Sequence, residues 1–255
     1  MIQLSKKLQN PKEKLSKYLA NIGIASRRNI SDFINTNDVK LNNSKAKHDS
    51  IIKDGDIVKI NGEDIVAELN PPVEVLIYHK PTGQVCSTIS TEENDSVFMH
   101  LPPRKKGKWI MAGRLDVNTS GLLVFSNNGN FINYLSHPSS EIDREYLCRV
   151  YGDISNKKID NLLKGVKVND ELSKFSDIVP VKKKSKSKNH WFYVCLFTGK
   201  NREVRKLWGS QKLTVNRLIR LRYGPIILPE NMKPGGWKIF SKKEVNKLQN
   251  LLDIQ

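Results

Sequence analysis

Apolar residues recur at Leu15, Tyr18, Leu19 and Ile22, the spacing that lines one face of a helix, and Gly23 follows where such a helix ends. Ser26 offers an N-cap for a second helix with an apolar face of Ile30, Phe33 and Ile34, which places Arg27 and Arg28 in its first turn. Basic residues there oppose the helix macrodipole, a cost that an external phosphate would remove, although two exposed arginines are common without any function. Val39 to Asn42 and Ile57 to Ile60 read as short strands, the second introduced by the turn Asp54-Gly55-Asp56. Glu63 to Pro72 ends in Asn70-Pro71-Pro72 and reads as a linker. The expected division is a small domain with its linker over 12–70 and a larger domain over 71–255.

In the larger domain, Val75 to Tyr78, Leu122 to Phe125, Tyr146 to Val150 and Trp191 to Phe197 are rich in β-branched and aromatic residues and read as strands. Lys80-Pro81-Thr82-Gly83 is a turn that brings a lysine to the end of the first. Helices are expected over Asn130 to Ser136, from a Ser155 cap through Ile159, Leu162 and Leu163 to Gly165, and from an Asn201 cap through Val204, Leu207 and Trp208. The capping box Ser241-x-x-Glu244 opens a last helix with Val245, Leu248, Leu251 and Leu252 as its buried face. Strands and helices mix without a strict βαβ repeat. The expected class is α+β, a mixed and mainly antiparallel sheet flanked by helices.

Charge narrows the partner. The 255 residues carry 43 Lys and Arg against 26 Asp and Glu, a net +17 spread along the whole chain. Such a surface attracts polyanions, and nucleic acid is the leading class. Lys182 to Asn189 is a cationic run between two strands, expected to form a hairpin loop that touches phosphate, or else a plain solubility tip. No basic amphipathic helix faces bulky aromatics and no run of about 18 apolar residues occurs, so a membrane partner is not expected. The amino terminus lacks a signal-peptide apolar region, which points to the cytoplasm. Cys86, Cys148 and Cys195 each sit in an apolar run and read as buried small hydrophobes. With five single histidines and no Cys-x-x-Cys pair, neither a metal site nor a disulfide is expected.

The chemistry centres on Gly113-Arg-Leu-Asp-Val-Asn-Thr-Ser-Gly-Leu-Leu123. It places one carboxylate, Asp116, in a short polar turn between apolar segments, where it could act as nucleophile or base, or merely cap the turn with Asn118 and Thr119. The run resembles the active-site signature of the pseudouridine synthases that modify ribosomal RNA. Further pieces follow in the family's order: Asp143-Arg144-Glu145-Tyr146, Gly199-Lys200-Asn201-Arg202-Glu203-Val204-Arg205-Lys206-Leu207, and Val215-Asn216-Arg217-Leu218-Ile219-Arg220. The resemblance implies Asp116 as nucleophile, Arg205 as the arginine paired with it, and Tyr146 against the target base. It also implies Leu218 closing the apolar side of the pocket, and Arg114 entering the gap left by a uridine taken out of its stack. Lys80 and Gly83 match the first motif, with a structural and phosphate-side role, and Arg202 is expected to touch RNA.

Glu13 to Gly62 is similar to the small alpha-L RNA-binding fold, on Lys14-Leu15, Gly23-Ile24-Ala25-Ser26-Arg27-Arg28 and Asp54-Gly55-Asp56, which implies phosphate contacts from Lys17, Arg27 and Arg28. The tail Arg220-Leu-Arg-Tyr-Gly224 to Gly235-Gly236-Trp237 implies a large-subunit rRNA target, taken as a stem-loop by a monomer. Isomerisation of uridine needs no energy source or redox partner, so no cofactor is expected. Departures from the pattern are His79 before Lys-Pro, Asn128 before Gly129, Gly209-Ser210-Gln211-Lys212, and the absence of a basic C-terminal extension. Two alternatives stand beside this reading: a target in small-subunit rRNA, and a non-catalytic rRNA-binding assembly factor.

Overall fold

The computed structural model describes residues 11–90, 94–104, 106–181 and 187–254. The amino-terminal residues before 11 and most of the cationic run after Val181 lie outside the described residues. Two compact units are present, one reaching Val73 and including Arg104–Lys108, the other comprising Glu74–Pro103 and the chain from Trp109.

The first unit contains β1 (Lys12–Lys14), α1 (Leu15–Asn21), α2 (Ile30–Thr36), β2 (Val39–Leu41), β3 (Ser44–Lys45), β4 (Ile51–Lys53), β5 (Ile57–Ile60) and β6 (Glu63–Val66). β1 pairs with β4, and the remaining strands form a sheet ordered β3-β2-β5-β6. Leu15, Leu19, Ile34, Ile52 and Val58 are fully buried between helices and strands. Gly23, at φ 94, ends α1 and lets Ile24 N–H turn back to Leu19 O at 3.0 Å. Two expectations are corrected. Ser26 does not cap α2: its Oγ accepts Asn29 N–H at 3.2 Å and closes a turn, Asn29 is the N-cap, and Arg27 and Arg28 lie exposed ahead of the helix. A serine that bonds the backbone three residues on competes with helix entry, and the macrodipole argument falls with it. The expected linker starts with a strand, because Glu63–Val66 pairs with β5 and half-buries Ile65.

The second unit contains β7 (Val75–Lys80), β8 (Ile110–Met111), β9 (Ser120–Ser126), α3 (Gly129–Ser136), β10 (Arg144–Tyr151), α4 (Asn156–Lys164), β11 (Val166–Val168), β12 (Glu171–Ser173) and β13 (Asp177–Pro180). It continues with β14 (Asn189–Leu196), α5 (Glu203–Ser210), β15 (Thr214–Tyr223), β16 (Ile226–Ile227), β17 (Trp237–Ile239) and α6 (Lys242–Leu251). Its sheet runs β13-β14-β10-β15-β9-β7-β17, with β8 on β9 and β16 on β15. Every pairing is antiparallel except β9 with β15, which makes the class α+β as expected. Phe192, Val194, Cys148, Val150 and Leu218 form one face and pack with Leu162 of α4 and Leu207 and Trp208 of α5.

Local signals held where side chains act on their own neighbourhood. Ser155 caps α4 and the Ser241–Glu244 box is complete at α6, whereas the cap of α3 was not foreseen: Asn128 Oδ1 accepts Phe131 N–H at 2.9 Å and starts that helix at Gly129. Leu251 is nevertheless 62% exposed, one position off the face that buries Val245, Leu248 and Leu252. The long β15 escaped the strand pattern because Asn216, Arg217, Arg220 and Arg222 interrupt its hydrophobic alternation. Cys86 lies in a bend, half-buried, and not in a strand, while Cys148 is buried and its thiol is pushed up to about 12 by that burial.

Candidate active site

Asp116 lies in the connection between β8 and β9, in a turn closed by Thr119 N–H donating to Asp116 O at 3.0 Å. Each of the turn's four carbonyls receives a further donor from elsewhere. Lys80 Nζ, at the end of β7, reaches Asp116 O at 3.1 Å, Val117 O at 3.3 Å and Thr119 O at 2.9 Å, besides Pro81 O at 3.0 Å. Gly83 N–H also donates to Val117 O at 2.8 Å, and Arg205 Nη2 donates to Asn118 O at 3.0 Å. Just upstream, Leu115 N–H donates to Cys86 Sγ at 3.3 Å. The backbone is thus held on all sides, and the Asp116 side chain is left 31% exposed.

Lys80 is 0% exposed, so its place is beneath the turn and not at a phosphate. Burial pushes its ammonium down to about 8, opposed by Cys86 and Asp116. Arg205 likewise works on backbone: Nη1 donates to Val215 O at 2.7 Å while Nη2 holds Asn118 O. Burial and the neighbouring Arg202 both pull its guanidinium below the ordinary value, and Asp116 opposes them. Among the described residues, the cation within 4 Å of the Asp116 carboxylate is Arg202, whose Nη1 lies 3.9 Å from Oδ2. The expected pairing of Arg205 with Asp116 is therefore replaced in this structure by Arg202 at the carboxylate and Arg205 one layer behind. Arg202 and not Asn201 is the N-cap of α5, in the left-handed region at φ 52. Glu203 supports that turn from below, 4% exposed, accepting Thr198 Oγ1 at 2.6 Å and Lys200 N–H at 3.1 Å.

The wall beside the turn comes from β10 and β15. Tyr146 is 8% exposed and belongs with Leu115 and Leu218 to one apolar cluster. Arg220 of β15 pairs across with Tyr146 on one side and with Gly121 of β9 on the other. At Gly121, φ 110, a Cβ would stand 2.3 Å from Arg220 O, so only glycine permits this approach. The same junction sets Asp116, five residues earlier, beside β15. The residues before Tyr146 serve the frame. Asp143 takes two hydrogen bonds from Arg222, at 2.8 and 2.7 Å, and Glu145 takes a third at 3.1 Å. Arg222 thereby holds the Asp143 carboxyl below the usual range. Arg144 donates to Phe197 O at 2.7 Å and to Tyr223 Oη at 3.0 Å.

Sequence reasoning thus missed the supporting roles of Arg144, Glu203 and Arg220, which stand within the quoted motifs but were given no task there, and it missed Cys86, which lies outside them; Arg220 Nε donates to Leu122 O at 2.7 Å. Arg114 is exposed, after Gly113 at φ 72. Lys17, Arg27 and Arg28 belong to the first unit, where Lys17 pairs with Glu13 at 3.0 Å. Among the described residues no group of three metal-ligating side chains occurs, and no helix is long and apolar enough to cross a membrane.

Residues 74–208 match the family model of RNA pseudouridylate synthases. The chain is 39% identical over 246 residues to the "Ribosomal large subunit pseudouridine synthase B" of Buchnera aphidicola (strain APS), spanning 95% of this chain and 98% of that one. The protein of the same name in Vibrio vulnificus is 41% identical over 246 residues, 95% of this chain and 76% of its own. A solved pseudouridylate synthase superposes with a TM-score of 0.63 at 20% identity, over 92% of this chain and 99% of its own, and shares the fold.

Proposed function

Because this chain belongs to the RNA pseudouridylate synthase family, we propose that it converts one uridine of large-subunit ribosomal RNA to pseudouridine, with Asp116 as the nucleophile. The observation that carries this reading is the Asp116 turn, whose carbonyls are all engaged while the carboxylate stays accessible. A nucleophile held on a rigid backbone meets its target in a fixed geometry.

The uridine leaves its stack and enters beside Tyr146, which lies against the base, with Leu115 and Leu218 forming the apolar side. The Asp116 carboxylate attacks the nucleoside, the bond from N1 to C1′ breaks, and the base turns. A bond from C5 to C1′ then forms, C5 gives up its proton, N1 takes one, and the carboxylate is released, so substrate and product are isomers. Arg114 fills the gap in the RNA. Arg202 balances the carboxylate and meets a phosphate, whereas Arg205 and Lys80 are positioning residues that act through the turn's carbonyls. The first unit is an alpha-L RNA-binding module, domain 12–70 with its linker, that grips a stem-loop through Lys17, Arg27 and Arg28. The catalytic domain, 71–255, works as a monomer in the cytoplasm.

Carbodiimide-primer extension on unmodified large-subunit rRNA tests this. A single new stop with the wild-type chain and none with Asp116→Asn is expected. No stop on free rRNA, precursor subunits or small-subunit rRNA would leave a binding-only assembly factor as the better account, and a stop on small-subunit rRNA alone would move the address.

A further inference from the structure

The large sheet has a second face, turned away from Tyr146. On β10 it carries Arg149 and Tyr151, on β14 Trp191 and Tyr193, and on β15 Arg217. The registers Arg149 to Trp191, Arg149 to Arg217 and Leu147 to Tyr193 put these side chains on one side. Tyr193 is 38% and Tyr151 47% exposed. The Arg149 guanidinium lies 5.8 Å from the centroid of the Trp191 ring, and its buried Nε has no partner. Arg149 and Arg217 enter no ion pair among the described residues; Asp143 and Glu145, further along, are both taken by Arg222, and the exposed acid on this face, Asp177, stands on the outer strand β13 opposite Cys195.

We propose that this face is a docking platform for a single-stranded segment of the substrate RNA, with bases stacked on Trp191, Tyr193 and Tyr151 and phosphates at Arg149 and Arg217. The proposal rests on the RNA-modifying reading above and adds a second RNA surface to it. Trp191 and Tyr193 are two residues apart on one strand, about 7 Å, which gives each ring its own unstacked base. A duplex keeps its bases inside and could not reach the rings. A protein partner would favour an apolar centre with charge at the rim, whereas here the two unpaired arginines stand among the aromatics. Stacking beside cations is the chemistry of sequence-tolerant single-strand binding.

The test uses the full chain and a fluorescent oligoadenylate of twelve nucleotides, which contains no uridine, followed by anisotropy. Trp191→Ala with Tyr193→Ala is expected to weaken binding about tenfold or more. Arg149→Gln with Arg217→Gln is expected to flatten the plot of log affinity against log salt by about 0.7 per arginine. Trp191→Phe with Tyr193→Phe keeps the rings and should bind like the wild type, which separates lost stacking from a damaged fold. Unchanged affinity in the alanine pair overturns the proposal, as does a wild-type dimer in sedimentation that the alanine pair dissolves. Pseudouridine formation on the target stem-loop is measured alongside, and the alanine pair should keep its kcat there. A wild-type chain inactive on every rRNA would sink the enzymatic reading, and the oligoadenylate result would still decide the platform.

Discussion

The Asp116 turn and the Arg202 turn bring a carboxylate oxygen and a guanidinium nitrogen to within 3.9 Å of each other, and the two turns are held in opposite ways. At Asp116 the backbone oxygens are gripped by donors from β7 and α5, and the acidic side chain is the part left accessible. At Arg202 the grip is a buried carboxylate, Glu203, that takes a hydroxyl and an N–H of the preceding loop, while the cation stands on a long exposed side chain at φ 52. A short rigid acid opposite a long cation suits a site in which the nucleophile must not move and its counter-charge must yield to substrate. Ordering a nucleophile through its backbone also leaves both carboxylate oxygens for chemistry.

The strongest break in this comparison is Asp116→Asn, which keeps the turn and removes the nucleophile. Turnover should fall at least about 10⁴-fold, with RNA affinity retained in a filter-binding assay. A residual rate within tenfold of wild type would remove Asp116 from the chemistry. Lys80→Met comes next, because it withdraws the ammonium from four carbonyls. We expect kcat to drop about 10²-fold with little change in KM, and stability to fall by about 1–3 kcal/mol; a normal kcat would mean the turn holds itself.

Gly121→Ala tests the junction that carries the turn to β15. Its Cβ would meet Arg220 backbone atoms at 2.3 and 2.4 Å, neither of which can rotate away. The expected loss is about 3 kcal/mol, roughly 10 °C in Tm by calorimetry, and an unchanged Tm would show that the two strands can part cheaply. Comparing Arg205→Lys with Arg202→Lys sharpens the contrast between the two arginines. A lysine cannot bond Val215 O and Asn118 O together, so Arg205→Lys should cost about tenfold in kcat, and Arg202→Lys, which keeps the charge, only a few-fold. The reverse order would restore Arg205 as the direct partner of the carboxylate.

The smallest effect is with pH. The Lys80 ammonium titrates at about 8, below the ordinary lysine value of 10.5. As pH rises through 8 the native state loses a donor hydrogen under the turn, and kcat should decline. Between 8 and 10.5 the unfolded chain holds the extra proton, so stability rises with pH in that window and the decline is not unfolding. A stopped-flow pH profile should show this limb in the wild type and not in Lys80→Met, where a surviving limb would assign the titration to another group.

Much of the architecture was legible from local pattern. The caps at Ser155 and Ser241, the α1 end at Gly23, and the strands β7, β9, β10 and β14 all depend on residues within a few positions of one another. Reading failed where two local signals competed, as at Ser26, and where a strand carries buried or paired arginines, as at β15.

The sequence by itself determined the α+β class, the helices α1 to α6 and the strands β2, β5, β7, β9, β10 and β14, and the family motifs on which Asp116, Tyr146 and Arg205 were singled out, whereas the other strands, most of them short, were not legible. Only the tertiary structure decided what the cations do. Lys80 acts on Thr119 from 39 positions away, Arg205 on Asn118 from 87, and Arg202 instead of Arg205 takes the place beside Asp116. The physical reason is that a buried donor is committed by whichever carbonyls the folded chain leaves without partners, and those are known only once the strands have met.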